Sequence, residues 1–261
     1  MEKGVYVTKL KNGTPSYRVS INFKSRHIAL GSYSDYDEAA NAYKEASLCV
    51  HSDISIDDYS TLKSLRYDKF IVLLNFRDNN VYIKNPIYLK RNFFYYHLSQ
   101  NEILTFDIDD LFYYSNHRIQ KRGGRYFCAD FGMQITLKSR YGIKNYAVEN
   151  RDYFFKNGDN LDYRYENIYI INKYHGLRYD KKSKLHNVYI HINGDYLVGK
   201  YKEETVAAIC YNKAADCLKS HNILQYKNFP QNYIDNLSAK EYAEIYSSID
   251  LSDFLKKLGN L

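Results

Sequence analysis

Arg18, Ser20, Asn22 and Lys24 alternate with Tyr17, Val19, Ile21 and Phe23. The first four carry groups that donate to or accept from base edges and phosphates. Their period of two is that of a half-buried strand, which places them on one face and the apolar four on the other. A second set has the same form: Asn187, Tyr189, His191 and Asn193 alternate with Val188, Ile190 and Ile192. Lys9, Lys11 and Arg26 lie beside the first set, and Arg178, Lys181, Lys182 and Lys184 beside the second. Residues 1–31 hold six basic side chains against Glu2 alone, a net +5. Residues 173–202 hold seven against Asp180 and Asp195, again +5. The whole chain is +7, so the other 200 residues sum to −3. Two basic stretches in a near-neutral background form an electrostatic footprint for a polyanion.

The two stretches are related. At an offset of 168, Gly31/Gly199, Tyr33/Tyr201, Ala39/Ala207, Ala40/Ala208, Tyr43/Tyr211, Ala46/Ala214 and Cys49/Cys217 are identical. This internal repeat predicts strands near 4–10, 16–24 and 26–33 with a helix near 35–50, then strands near 177–182, 185–193 and 195–201 with a helix near 203–220. Ser34 or Asp35 can cap the first helix, and Asp37 and Glu38 suit its first turn. Ala39, Tyr43, Ala46 and Val50 fall on one helical face, as do Ala207, Tyr211, Ala214 and Leu218. One helix covers only the apolar face of a three-stranded sheet. The polar face is therefore expected to stay open, and a β-sheet face can enter the major groove of DNA.

The stretch GVYV…YRVSINFKSRHIALGSYSDYDEAANAYKEAS resembles the plant APETALA-two/ethylene-response-factor DNA-binding domain. Leu30-Gly31 and Ala39-Ala40 with Tyr43 fit its pattern; Val198-Gly199 and Ala207-Ala208 with Tyr211 repeat it more loosely. The resemblance implies two sheets that lie in the major groove of double-stranded DNA. The family's usual sheet tryptophans are missing, since the chain has no Trp.

Between the copies, Asn157-Gly158-Asp159-Asn160-Leu161-Asp162-Tyr163-Arg164-Tyr165-Glu166-Asn167-Ile168 resembles the second half of an HNH endonuclease motif. Short strands around Ile103–Leu111, Arg125–Phe127 and Ile135–Leu137 suit the segment that precedes that motif. HNH cleavage uses a histidine to activate water and a divalent metal on the scissile phosphate. The histidine's positions hold Phe154, Phe155 and Lys156, and a second histidine aligns with Lys138. His186 and His191 are five apart and fall on opposite faces of a strand. The expectation is a fold that keeps the nuclease frame without its catalysis. Asp162, Arg164 and Asn167 are then expected to brace the turn, and Phe154 and Phe155 to pack as core.

The expected fold class is α+β: two three-stranded antiparallel sheet-plus-helix modules flanking a degenerate HNH-like ββα module, with a helical C-terminal tail. The expected divisions are 1–51, a strand-rich connection 52–102, 103–173, 174–221, and a tail 222–261. FIVLLNF and VYIKNPIYL are expected strands; SAKEYAEIYSSI and LSDFLKKLGNL are expected helices. Phe93, Phe94, Tyr95 and Tyr96 suit a core better than base stacking. No pair among Cys49, Cys128, Cys210 and Cys217 has metal or redox spacing, so buried thiols are expected. No run of ~18–20 apolar residues suggests a membrane span, and Met1-Glu2-Lys3-Gly4 lacks the apolar core of a signal peptide. Abundant Tyr, Lys and Asn with only 3 Pro matches an AT-rich coding sequence, of the kind many viruses have.

Functionally, these observations predict a sequence-preferring duplex DNA-binding protein, a viral or phage transcription or genome-maintenance factor derived from a homing endonuclease. No catalytic residue, metal, cofactor, small-molecule substrate or membrane is expected. The expected location is cytoplasmic, nucleoid or nuclear rather than secreted. A homodimer or a viral or host transcription partner is left open. Two alternatives stand beside this: an active HNH nicking endonuclease, and a protein–protein adaptor reusing the fold.

Overall fold

The computed structural model describes residues 2–130, 132–220, 229–253 and 255. The chain divides into two compact units, 1–141 with 157–168, and 142–156 with 169–261. It is mixed α+β, built from small antiparallel sheets and short helices.

Unit 1 begins with β1 (Val5–Lys9), β2 (Pro15–Phe23) and β3 (Arg26–Tyr33), an antiparallel sheet in sequence order, followed by α1 (Tyr36–His51). The Asp35 carboxylate caps α1 by accepting from the Glu38 N–H at 2.8 Å. Ala39, Ala42, Ala46, Cys49 and Val50 bury one helix face against Val5, Val19, Ile21, Ile28 and Leu30. The small alanines let helix and sheet approach closely.

The second half of the repeat gives the same module. Strands β12 (Leu177–Asp180), β13 (Leu185–His191) and β14 (Asp195–Tyr201) form an antiparallel sheet in sequence order, and α5 (Glu204–Ser220) covers it. Val188, Ile190, Ala207, Ala208, Tyr211 and Ala214 pack there, joined by side chains of α6 (Ala239–Ser248). The rest of the expected tail, 251–261, lies mostly outside the described residues.

Two backbone devices recur in both copies. Val19 pairs with Gly31 and Ser20 with Ala29, so Leu30 is an extra residue in β3. Val188 pairs with Gly199 and Tyr189 with Leu197, so Val198 is extra in β14. The repeated apolar-glycine pair is thus a β-bulge, which reverses the in/out alternation beyond it. That is why Leu30 and Tyr33, three residues apart, are both buried. The second device is a glycine just before the first strand, Gly4 at φ 77° and Gly176 at φ 75°. A Cβ on Gly4 would lie 2.4 Å from the Tyr43 ring, and one on Gly176 2.1 Å from the Tyr211 ring. The helix tyrosine shared by both copies sits against a backbone that only glycine permits.

The connection 52–102 differs from expectation. FIVLLNF is not a strand; it lies in α2 (Tyr67–Asn79). Phe70 through Phe76 are buried without a break, so the helix has no polar stripe to reveal its period. A continuous apolar run of this length reads equally as a buried strand. In VYIKNPIYL only β4 (Ile87–Leu89) is a strand; it joins β5 (Phe93–Ser99) and β6 (Glu102–Asp107) in a sheet. Phe94 and Tyr96 are core residues. Next come α3 (Leu111–Asn116), a sheet of β7 (Ile119–Arg122), β8 (Arg125–Asp130) and β9 (Met133–Thr136), and α4 (Leu137–Arg140). A two-stranded pair, β10 (Tyr153–Phe155) and β11 (Ile168–Ile170), brackets the asparagine-glycine segment. No helix follows β11 before β12, so the expected ββα form has its two strands without its helix. Cys49, Cys128 and Cys210 are buried, and Cys217 is half-buried. Among the described residues no helix is long and apolar enough to cross a membrane.

The glycine device is testable by urea unfolding. Gly4→Ala and Gly176→Ala each add a Cβ both to a left-handed backbone and into a ring. Gly13→Ala meets only the backbone penalty, because its surroundings are open although φ is 82°. The expected losses are about 2–4 kcal/mol for the first two and about 1–2 kcal/mol for the third.

Candidate nucleic-acid interface

The centre strand of the first module carries Arg18, Ser20 and Asn22 on the face away from α1. Register completes that face. Tyr6 of β1 and Ser32 of β3 stand on either side of Arg18, and His27 stands beside Asn22. Tyr6, Arg18, Asn22, His27 and Ser32 are all exposed. His27 Nδ1 lies 3.0 Å from Asn22 Oδ1. The result is an exposed face with one guanidinium, one amide, one imidazole and an aromatic ring, without a carboxylate in its pairing rows.

Two members of the expected set are placed otherwise. Ser20 is only 7% exposed. A short side chain at the middle of the centre strand lies below its longer neighbours and does not reach out. Lys24 is beyond the strand, in the β2–β3 turn at φ 45°. Its ammonium donates to the carbonyl of Arg77 at 3.0 Å and to the Asn80 side chain. It thus serves the C-terminus of α2, where unpaired carbonyls favour a cation. Lys9 and Arg26 pair with Pro15 and Phe23, so they sit at the sheet's ends rather than in the polar rows. Lys11 follows in the exposed β1–β2 turn.

The second module has the same rows with different occupants. Arg178, Asn187 and Lys200 align across the three strands, Tyr189 pairs with Leu197, and His191 with Asp195. Here Asp195 ties up Arg178 and His191, although Asn187 Oδ1 is buried without a hydrogen-bond partner among the described residues. Asp195 takes His191 Nδ1 at 2.8 Å and also the Arg178 guanidinium, and those two bonds hold its carboxyl below the usual range. The Arg178 guanidinium lies 4.6 Å over the Tyr189 ring. Arg178, Tyr189 and His191 also wall a cavity shared with residues 144–152, so this face is not fully open as expected. Asn193 lies in the β13–β14 turn, past the end of the strand. Lys181, Lys182 and Lys184 are exposed in the β12–β13 hairpin.

Tyr6, His27, Ser32 and Lys200 were not among the expected contact residues. Tyr6 needed the register of β1. Ser32 and Lys200 were hidden by the bulge, because simple alternation from Leu30 or Val198 puts them on the buried side.

The asparagine-glycine segment is a closed knot of hydrogen bonds in unit 1. Asp162, 3% exposed, accepts from Arg164 Nε at 2.9 Å, Arg164 Nη2 at 2.7 Å and Asn157 Nδ2 at 2.9 Å. Asn167 accepts from the Asn157 N–H at 2.9 Å and donates to the Asp162 carbonyl at 2.8 Å. Tyr163 is buried beside Phe106 at 5.7 Å between ring centres. Phe155 is buried, and Phe154 packs on Tyr169 at 5.1 Å. Each of these side chains has a bracing partner. Among the described residues no group of three or more His, Cys, Asp or Glu could hold a metal ion.

Comparison with protein-family models, with curated proteins and with solved structures finds no significant match for this chain.

The Asp162 knot makes a stability prediction with a definite sign. Burial pushes the Asp162 pKa up, but the hydrogen bonds from Arg164 outweigh it and hold the carboxyl below its ordinary value. Its stabilisation is therefore complete above the ordinary carboxyl range and is lost as pH falls through the lowered pKa. Asp162→Ala should cost about 2–3 kcal/mol at neutral pH. That gap, measured by denaturant unfolding, should narrow as the pH is lowered below about 4.

Proposed function

We propose that this chain is a sequence-preferring, double-stranded DNA-binding protein that does not cut its target. The observation that carries the proposal is the duplicated module: one helix covers one sheet face, and in the first copy the other bears Tyr6, Arg18, Asn22, His27 and Ser32 with no paired acid among the described residues. A two- or three-stranded sheet of this kind fits the major groove, where Arg reads guanine and Asn reads adenine. Around it, Lys9, Lys11 and Arg26 are exposed and placed for phosphates, as are Lys181, Lys182 and Lys184 in the second module. Phosphate contacts set position, and the face sets sequence preference.

The resemblance to the APETALA-type domain supports the same docking mode. In this reading Asn157–Ile168 is the relic of an HNH motif whose polar residues now brace a turn. The proposed role is transcription control or genome maintenance in a viral or phage setting, in whichever compartment holds the DNA.

Binding should be strongly salt-dependent. If the lysines and arginines neutralise about six to ten phosphates, affinity should fall by roughly 10³-fold or more between 50 and 200 mM salt. Arg18→Ala and Asn22→Ala should each weaken a preferred site by about 1–3 kcal/mol and random duplex by less. Lys9→Ala and Lys182→Ala should weaken both alike. Fluorescence anisotropy across a salt series reads all of these; a flat salt profile sinks the proposal. Supercoiled plasmid carrying the preferred site should stay uncut with Mg²⁺ or Mn²⁺. Nicking abolished by Asp162→Ala or Asn167→Ala would instead establish a working nuclease.

A further inference from the structure

Unit 2 contains a cavity of about 630 Å³, within the range of small-ligand sites. Its wall combines Lys144, Tyr146 and Arg151 with His175 and with the Arg178–Tyr189 stack on the second sheet. The charges do not all match. Asp195 is occupied by Arg178 and His191. Asp152 is occupied by Arg151 at 2.6 Å and also accepts from the Val148 N–H and Asn172 Nδ2, both at 2.8 Å. Among the described residues, the Lys144 ammonium is the one charged group of this wall with neither an ion pair nor a hydrogen bond; only its carbonyl is used, by the Ala147 N–H at 2.9 Å.

The surroundings of that ammonium are defined. Burial pushes Lys144 down to about 8, against the opposing fields of Asp152 and of Glu204 on α5. His175 faces it too; burial and then Lys144 lower its pKa, and its Nδ1 lies 2.6 Å from the Tyr146 hydroxyl. Four tyrosines also line the wall: Tyr146, Tyr174, Tyr189 and Tyr211. A single unmatched cation beside flat rings suits a ligand with one negative charge and one planar group. Each phosphodiester of a nucleic-acid strand carries one such charge, and every base has a π-face on which tyrosine can stack.

We propose that this cavity binds one nucleotide unit, with its base among the tyrosines and its phosphate on Lys144. A nucleotide turned out of a strand has that chemistry, and a free monophosphate offers the same base and anchoring phosphate with a further charge. The site is separate from the sheet face of the first module and does not depend on it.

The test uses the full chain and two probes: a panel of deoxynucleoside monophosphates followed by calorimetry, and a duplex with 2-aminopurine opposite an abasic site followed by its fluorescence. The expected result is that at least one probe binds, and that Lys144→Met weakens it about tenfold or more, as loss of a charged hydrogen bond does. Tyr146 is exposed, so Tyr146→Ala leaves the fold intact; it should also weaken the probe by about tenfold. An anion favours the ammonium, so wild-type affinity should decline as pH rises through 8, and Lys144→Arg should remove that decline. Binding of the monophosphates identifies a free ligand; quenching of the duplex probe alone identifies a strand-borne one. No binding of either, or equal binding by Lys144→Met, overturns the proposal. A fully paired duplex scores the sheet-face proposal separately, since it offers the cavity no unstacked base.

Discussion

A three-stranded sheet has two faces, and each module of this chain supplies one helix. Everything placed on the sheets follows from that constraint. The apolar rows of Val19, Ile21 and Val188, Ile190 are consumed by the alanine-rich helices. Burial of each such side chain contributes about 1.5–3 kcal/mol, so the register cannot slip by one residue without exposing the whole set. The polar rows are held outward by the same register. The tyrosine against a glycine and the bulge at an apolar-glycine pair flank the same point of the centre strand, Val19–Ser20 in one copy and Val188–Tyr189 in the other. Tyr43/Tyr211 and Gly31/Gly199 are among the positions at which the two copies agree.

The modules have diverged on their polar faces. Among the described residues, the first leaves Arg18 without an acidic partner. The second ties Arg178 and His191 to Asp195 and places Tyr189 beneath the guanidinium. Similar scaffolds thus present an available cation in one case and a neutralised cluster beside a cavity in the other. In the proposed reading labour is divided, with duplex contact at the first face and a confined site lined by tyrosines at the second.

Much of the two modules was legible from sequence. Period-two strands, the Asp35 cap and the repeated glycine and alanine positions place each element within a few residues. What was hidden is physical in origin. The run at Phe70–Phe76 is buried all round, so it carries no helical stripe. Ser32 and Lys200 follow a bulge, which reverses the face that simple alternation assigns. Lys24 reads as a strand residue, yet its backbone turns at φ 45° and its ammonium completes the end of a helix far along the chain. Ser20 has the right parity but too short a side chain. The bracing role of Asp162 and Asn167 could be argued from the missing histidine, whereas the cavity above Tyr189 needs the positions of residues 144–152 and leaves no local sequence signal.

The central claim is that the exposed face of the first sheet reads duplex sequence. Selection of bound sites from a random duplex pool, carried out in parallel with the wild-type chain and with Arg18→Ala, tests it most directly. The account predicts that the wild-type chain enriches one motif and that Arg18→Ala loses preference at a defined guanine-containing position while still retaining duplex. Enrichment of no motif, or the same motif recovered at the same strength by both proteins, would contradict it.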